Sequence, residues 1–128
     1  MIDLITALYI HSKSIETYGG GLGTRDEGAL LSALSRTFQT FGDQDLYPSP
    51  SGKAAAIFES IIINHPFIDG NKRTAYVLLR AVLYLFDLDV MAFEDEKYSM
   101  TIAASAGQIR FDEIKLWIDE HLISINHD

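Results

Sequence analysis

The sequence contains no cysteine among its 128 residues. This absence excludes a disulfide framework and any zinc site built from thiolates. The first residues also lack the charged, then apolar, then small-residue pattern of a secretory signal peptide. Both absences favour a cytoplasmic location for the protein.

Long apolar runs are missing as well. The longest one, residues 75–86, is interrupted by Arg80 and is shorter than the roughly 20 residues that a membrane-spanning helix requires. We therefore expect this run to lie in a protein core, and we expect no association with a membrane.

Basic residues are scarce relative to acidic ones. The chain has 10 Lys and Arg residues, 18 Asp and Glu residues and a formal net charge of -8. Proteins that bind duplex nucleic acid neutralise its phosphates with Lys and Arg, so the charge argues against direct DNA binding by this chain. An acidic surface more often contributes only to solubility.

The apolar residues that are present follow a helical period. Because 48% of the residues are hydrophobic and no linker, repeat or low-complexity segment interrupts them, we expect one domain over residues 1–128. No strand-like alternation persists beyond a few residues, which predicts a compact all-α fold. The predicted helices span residues 1–18, 24–38, 51–64, 71–88, 94–106 and 111–123.

Two helix boundaries have specific signals. The stretch "YGGGLG", residues 18–23, is interpreted as a glycine stop for the first helix, because no strand precedes it and the spacing of a nucleotide-binding loop is not met. Thr24 and Glu27 have the spacing of a capping box, in which each side chain caps the other's backbone amide. The second helix is therefore predicted to begin at Thr24.

The helices over residues 51–64 and 71–88 are apolar almost all round, which predicts that they form the central pair of the fold. They are joined by "HPFIDGNKR", residues 65–73, here called the polar segment. A site held between two packed helices can be kept in a single geometry. The polar segment is therefore the first place to look for function.

Three features should shape the backbone of the polar segment. Pro66 disfavours helical geometry at the preceding His65, so the helix should end there. Phe67 and Ile68 are apolar, and at least one of them should anchor the loop in the core. Gly70 tolerates backbone angles and close backbone approach that other residues resist.

The side chains of the polar segment have the chemistry needed to handle phosphate. The helix that begins at Asn71 offers unpaired amides and the positive end of its dipole, which favour an anion, and Lys72 and Arg73 add positive charge. Asp69 could hold Mg²⁺, and His65 could act as a general base. These are the parts of a site for phosphoryl or nucleotidyl transfer.

Simpler interpretations exist for each residue taken alone. A histidine before proline can merely end a helix, Asp69 and Gly70 can form a turn, and Lys72 and Arg73 can be solvated. Their occurrence together favours a site, because basic residues at a helix start oppose the helix dipole unless an anion is present.

The polar segment resembles the signature of the Fic/Doc family, His-x-Phe-x-Asp/Glu-Gly-Asn-x-Arg. Lys72, at the eighth position, is similar to the Doc (death-on-curing) branch, since typical Fic proteins have glycine there. The stretches "YGGGLGTRDEGALLSAL" and "DLYPSPSGKAA" also resemble the Doc pattern. The resemblance thus covers nearly the whole chain, and its motif is long and specific.

This resemblance implies the toxin of a toxin-antitoxin module, a kinase-like enzyme that transfers the terminal phosphate of ATP to a threonine of translation elongation factor Tu and arrests protein synthesis. By the same resemblance, His65 deprotonates the acceptor hydroxyl and Asp69 holds Mg²⁺. The cations of the segment would also act in catalysis. The residues implied to hold the nucleotide phosphates are Gly70, Asn71, Lys72 and Arg73.

Two alternatives remain open. Typical Fic enzymes have a second arginine where Tyr76 stands here, which weakens the hypothesis of AMP transfer to a protein hydroxyl. The other alternative is a non-catalytic module that only binds an antitoxin.

No Ser/Thr-x-x-x-Glu-Gly/Asn segment is present that could block the site from within, so the family implies a separate Phd-like antitoxin, partly disordered until it binds.

The remaining polar signals have structural interpretations. His11, His121 and His127 lack the spacing of a zinc-binding helix and are interpreted as surface or core histidines. The acidic run at residues 94–96 crowds a predicted helix start, where the helix dipole favours negative charge. Helix capping suffices to explain this run, and contact with a partner is a less favoured alternative.

Overall fold

The computed structural model describes residues 1–125, so His127 lies outside the described part of the chain. Six helices dominate the described residues, and the predicted all-α class is confirmed. None of these six is long and apolar enough to span a membrane. The helices are α1 (Leu4–Tyr18), α2 (Glu27–Thr37), α3 (Pro50–Asn64), α4 (Asn71–Tyr84), α5 (Glu94–Ser105) and α6 (Phe111–His121).

Two small antiparallel strand pairs accompany the helices over residues 1–125. Each strand has only two or three residues, which is too short for an alternating pattern to be visible in the sequence. The pairs are β1 (Thr40–Phe41) with β2 (Gln44–Asp45), and β3 (Leu88–Val90) with β4 (Leu122–Ser124).

Helix α3 lies at the centre of the fold, as its apolar pattern predicts. Of its 15 residues, 12 are buried, and it packs chiefly against α4, α6 and α2. Small residues at 54–56 allow close approach of the neighbouring helices, whereas Ile57, Phe58 and Ile61 fill the core and are fully buried. Each such large side chain contributes about 1.5–3 kcal/mol to folding relative to leaving it exposed.

The structure corrects the prediction for α4 in two respects. The helix ends at Tyr84 instead of residue 88, because the chain turns through Asp87, which has a left-handed φ of 60°, before β3 begins. Leu78 faces the core, but Val77 and Arg80 are exposed. Apolar residues on both sides of α4 therefore do not indicate all-round burial, since the exposed side borders a cleft.

The prediction that α2 begins at Thr24 is wrong. The N-cap is Asp26, whose carboxylate accepts a hydrogen bond from the Ala29 amide at 3.0 Å. The backbone at Thr24 is instead paired with Phe67 of the polar segment. The helix begins later than predicted because the preceding residues are engaged with another part of the chain.

A buried ion network fixes α3 between its neighbours. Glu59 is buried, and each of its carboxylate oxygens accepts from a different arginine: Arg36 of α2 and Arg110 before α6, both at 3.1 Å. Removing either arginine would leave part of a buried charge uncompensated. The network thus links α3 to α2 and to the start of α6.

Helix α6 covers the core largely as predicted. Ile114 and Ile118 are fully buried, and Phe111 and Trp117 are partly buried against the same core. Leu122, predicted to belong to the helix, instead opens β4. Pairing of β4 with β3 then brings the end of α6 next to the segment that follows α4.

Candidate functional site

Helix α3 ends at His65, the first residue of the polar segment, as the following proline predicts. His65 is the C-cap and has a left-handed backbone, with φ 47° and ψ 59°. This conformation is strained for a residue with a Cβ and persists only where the surroundings hold it. Arg25 provides that support, since its guanidinium donates to the carbonyl oxygens of His65 at 2.8 Å and Asn64 at 2.6 Å.

Phe67 anchors the polar segment, which confirms that one of the two apolar residues enters the core. Its ring is 1% exposed and stacks on the ring of His11, with centroids 3.9 Å apart. Ile68, in contrast, is 60% exposed. Its amide donates to the carbonyl oxygen of Gly23 at 3.0 Å, so the loop before α2 holds the segment from one side.

The Asp69 carboxylate is held by two backbone amides. Oδ1 accepts from Gly70 at 2.9 Å, and Oδ2 accepts from Gly21 at 3.2 Å. The Gly21 amide, followed by the Gly70 amide, keeps the pKa of Asp69 below its usual value. The carboxylate is therefore ionised at neutral pH, which is the form that binds a cation.

Asn71 closes the polar segment on itself. Its side-chain oxygen accepts from the Phe67 amide, and its side-chain nitrogen donates to the Phe67 carbonyl, both at 3.0 Å. The side chain is thus engaged within the loop, and any contact of Asn71 with phosphate falls to its backbone amide. Among residues 1–125, no side chain caps the first turn of α4, so the amides there are available to an anion.

Lys72 and Arg73 are exposed cations without an acidic partner in residues 1–125. The guanidinium carbon of Arg73 instead lies 3.7 Å from the centroid of the Tyr18 ring. Elsewhere along α4, Arg80 is paired with Asp89 at 2.8 Å. Two unpaired cations at the positive end of a helix are unfavourable unless an anion joins them.

All six residues predicted for the site line one cleft of about 800 Å³. Its floor is the polar segment and the exposed side of α4, and its far wall is α5, with Lys97 and Tyr98 among the lining residues. The six predicted residues in the lining are His65, Asp69, Gly70, Asn71, Lys72 and Arg73.

Tyr76 lines the same cleft one turn into α4. Its hydroxyl is buried and has no hydrogen-bond partner in the described part of the chain. Burial raises the pKa of Tyr76 to about 12, so the hydroxyl keeps its proton at neutral pH. The Tyr76 side chain is therefore neutral and carries no positive charge of its own.

The donor set fits a magnesium ion carried by a nucleotide. Among residues 1–125 there is no group of three or more His, Cys, Asp or Glu side chains that could hold a metal on its own. Mg²⁺ commonly binds to one or two carboxylates together with substrate phosphates and water. Asp69 supplies one such carboxylate beside an anion site, so the residues present are compatible with the ion.

Four residues outside the polar segment support the site and were not predicted. They have no local sequence signal, because each reaches the segment only through the tertiary fold. Buried histidines, glycine-rich loops and arginines near a helix start are all common in proteins, so none of them indicates a site by itself. The four are His11, Tyr18, Gly21 and Arg25.

Comparison with known families identifies the class of protein to which this helical fold and cleft belong. The model of the Fic/DOC family matches residues 2–83, well over half of the chain, so the protein belongs to the Fic/DOC family. Among individual proteins, it is similar to the Toxin Doc of Mycolicibacterium smegmatis, with 39% identity over 84 residues. That match covers 61% of this chain and 65% of the relative, slightly less than two thirds of its length.

Proposed function

We propose that this chain is a Doc-type toxin that transfers the terminal phosphate of ATP to a hydroxyl of a target protein, by resemblance a threonine of elongation factor Tu. The supporting observation is that a base, a carboxylate and two unpaired cations at a helix start line a single cleft. Similarity to a relative whose printed name is Toxin Doc supports the same proposal.

His65 serves as the general base in the proposed reaction. The acceptor oxygen forms a bond to the terminal phosphorus, the bond from that phosphorus to its bridging oxygen breaks, and ADP leaves. The proton of the acceptor hydroxyl passes to the imidazole of His65. This ring lines the cleft and has no hydrogen-bond partner within residues 1–125, so it can meet an incoming hydroxyl.

The start of α4 binds the phosphates. Backbone amides of the first turn donate to phosphate oxygens, while Lys72 and Arg73 offset the negative charge. The amide of Gly70 is engaged with Oδ1 of Asp69, so Gly70 contributes through the turn of its backbone. Asp69 would hold Mg²⁺. When bound, this ion would neutralise part of the negative charge on the phosphates. The left-handed φ of Gly70, 73°, lets the backbone turn directly into this helix start.

Two residues favour phosphate transfer over AMP transfer. Tyr76, at the position of the second arginine of typical Fic enzymes, is neutral, so this position does not supply the second cation. Lys72 adds a long cation where those enzymes have glycine, and it fills space that phosphates would occupy. A different phosphorus would then face the acceptor. The other alternative is a non-catalytic module that only binds an antitoxin. Such a module would have no need for the base and the phosphate site together.

The proposal includes partners and a location. As a toxin, the chain would act in the cytoplasm and would be held inactive by a Phd-like antitoxin, a segment that becomes ordered when it binds. The net charge of -8 supports a role in which the antitoxin, and not this chain, contacts DNA.

Intact-mass spectrometry of purified elongation factor Tu tests the proposal, after incubation with this protein, Mg²⁺ and ATP. We expect a phosphate-sized increase that His65→Ala, verified as folded by circular dichroism, does not produce. An AMP-sized increase would favour the alternative transfer and show that Lys72 does not set the orientation of the nucleotide. Equal modification by His65→Ala would contradict the role of the base.

Thermal unfolding separates an enzyme from a non-catalytic module. A ligand that binds the folded state must raise the melting temperature. We expect Mg²⁺ with ATP to stabilise the wild-type protein. Absence of any shift at millimolar nucleotide would favour the module that only binds an antitoxin.

A further inference from the structure

We infer that helix α1 and the glycine loop (residues 20–23) position Asp69 as a cation ligand, with His11, Gly20 and Gly21 as positioning residues. The inference rests on the proposed function, because it concerns how the carboxylate at the Mg²⁺ site is held. It gives the run of glycines a second role, in addition to ending α1.

The first contact fixes the backbone of Asp69. Nε2 of His11 lies 2.8 Å from the carbonyl oxygen of Asp69. Because a carbonyl oxygen can only accept, this nitrogen must donate the proton. His11 is 2% exposed and its ring is stacked on Phe67, so the donor itself has little freedom to move. The peptide plane of Asp69 is therefore tied to α1.

The second contact fixes the carboxylate. Gly21 donates its amide to Oδ2 of Asp69, and Gly70 donates to Oδ1. An ionised carboxylate has about four lone-pair sites, so two amide contacts orient it and leave the remaining sites for a cation. Partners of this kind tune metal affinity in other proteins even though they never touch the ion.

The third observation is that the glycine loop passes too close to Asp69 for a side chain. A Cβ at Gly20 would lie 2.8 Å from Oδ2 and 3.2 Å from Cγ of Asp69. A Cβ at the neighbouring Gly19 would meet no atom of residues 1–125 within 4 Å. Both glycines have positive φ, 115° and 84°, so they differ mainly in their approach to the carboxylate.

This difference provides a matched pair of variants. Calorimetry would give the affinity for adenylyl imidodiphosphate, a non-transferable ATP analogue, with Mg²⁺ and with EDTA, and the ratio of the two measures coupling between metal and nucleotide. We expect Gly20→Ala to lower this ratio by about tenfold, the effect typical of a lost supporting contact. We expect Gly19→Ala to retain the wild-type ratio. Equal ratios in the two variants would overturn the inference.

A second pair tests the contact from α1 and decides the question if Gly20→Ala does not fold. His11→Gln keeps a donor close to the position of Nε2, whereas His11→Phe keeps a ring to stack on Phe67 but has no donor. We expect the glutamine variant to retain the coupling ratio and the phenylalanine variant to lower it. A loss confined to general stability would affect affinity with and without Mg²⁺ alike, and an unchanged ratio in His11→Phe would contradict the inference.

Asp69→Asn separates failure of the inference from failure of the proposed function. If the wild-type protein shows no coupling to Mg²⁺, Asp69 is not a cation ligand and both proposals fail. If Asp69→Asn abolishes coupling while Gly20→Ala and His11→Phe preserve it, only the positioning role is wrong. Loss in all three supports the inference.

Discussion

The guanidinium of Arg73 stacks on the ring of Tyr18 at 3.7 Å. Tyr18 is the last residue of α1 and Arg73 lies in the first turn of α4, so the contact joins the end of one helix to the start of another within the lining of the cleft. The ring holds a cation next to free backbone amides without neutralising its charge. The Arg73 side chain therefore loses less conformational freedom when an anion binds.

Replacing Tyr18 should weaken binding of the nucleotide. An exposed cation–π contact is worth about 0.5–1 kcal/mol, so we expect Tyr18→Leu to raise the dissociation constant for the ATP analogue by roughly two- to fivefold. Tyr18→Phe keeps the ring and should bind like the wild-type protein. Calorimetry measures both constants, and equal affinity in the leucine and phenylalanine variants would mean that the stacking does not contribute.

Removing the Arg25 side chain should destabilise the protein through the end of α3. Its two hydrogen bonds to carbonyl oxygens satisfy groups that the helix leaves unpaired, and Arg25→Met should cost about 1–2 kcal/mol in the free energy of unfolding. Urea unfolding measures this loss. Lys13→Met is the control, because it removes only exposed contacts, an ion pair with Glu16 and a cation–π contact with Tyr9. It should change the free energy of unfolding by less than about 1 kcal/mol.

The two candidate caps of α2 should differ in their effect on stability. Asp26→Ala removes the side chain that accepts from the Ala29 amide and should cost about 1 kcal/mol. Thr24→Ala should change stability by only about 0.5 kcal/mol or less, because its pairing with Phe67 is through the backbone. Chemical denaturation of both variants provides the comparison. A larger cost at Thr24 would restore the capping box that the sequence predicts.

His121 should make stability depend on pH near neutrality. A hydrogen bond to the Trp117 carbonyl, and then the Glu96 carboxylate at 3.2 Å, raise the pKa of His121 above its usual 6.5. Because the folded pKa is above the unfolded one, the protonated ring adds stability below about pH 6.5, and this contribution is lost as pH rises through the folded value.

Urea unfolding of the wild type and of His121→Gln at several pH values between 5.5 and 8 measures this effect. We expect the wild-type free energy of unfolding to fall across this range more steeply than that of the variant, which lacks the titrating group. Parallel curves for the two proteins would show that His121 titrates alike in the folded and unfolded chains.

Features of the fold that follow local rules could be predicted from the sequence. Pro66 acts on the residue beside it, and α3 does end before His65. The apolar residues of α3 recur on all sides, and that helix is the buried centre. The polar segment can be identified from the sequence because its functional side chains lie within nine consecutive residues. Residues so near in sequence are also near in space.

Features that depend on which segments meet could not be predicted. The Thr24 capping box is a valid local signal, but pairing of the Thr24 backbone with Phe67 overrides it. His11 has no local feature that distinguishes it from a core histidine, and its bond to Asp69 spans 58 residues of sequence. The exposure of one side of α4 has the same cause. Val77 is as apolar as a core residue, but it borders a cleft, so the sequence alone predicts burial.

The supports of the polar segment come before it in the chain, and the far wall of the cleft comes after it. A ribosome therefore makes α1, the glycine loop and Arg25 first, then residues 65–73, and only later α5 with Lys97. Non-local contacts of this kind form only after both partners have been synthesised. A nascent chain released before α5 would contain every residue of the proposed base and phosphate site, but it would lack the far wall of the cleft and the buried Ile114 and Ile118 of α6. On the proposed function, the site would therefore be completed only by the last part of the chain to be made.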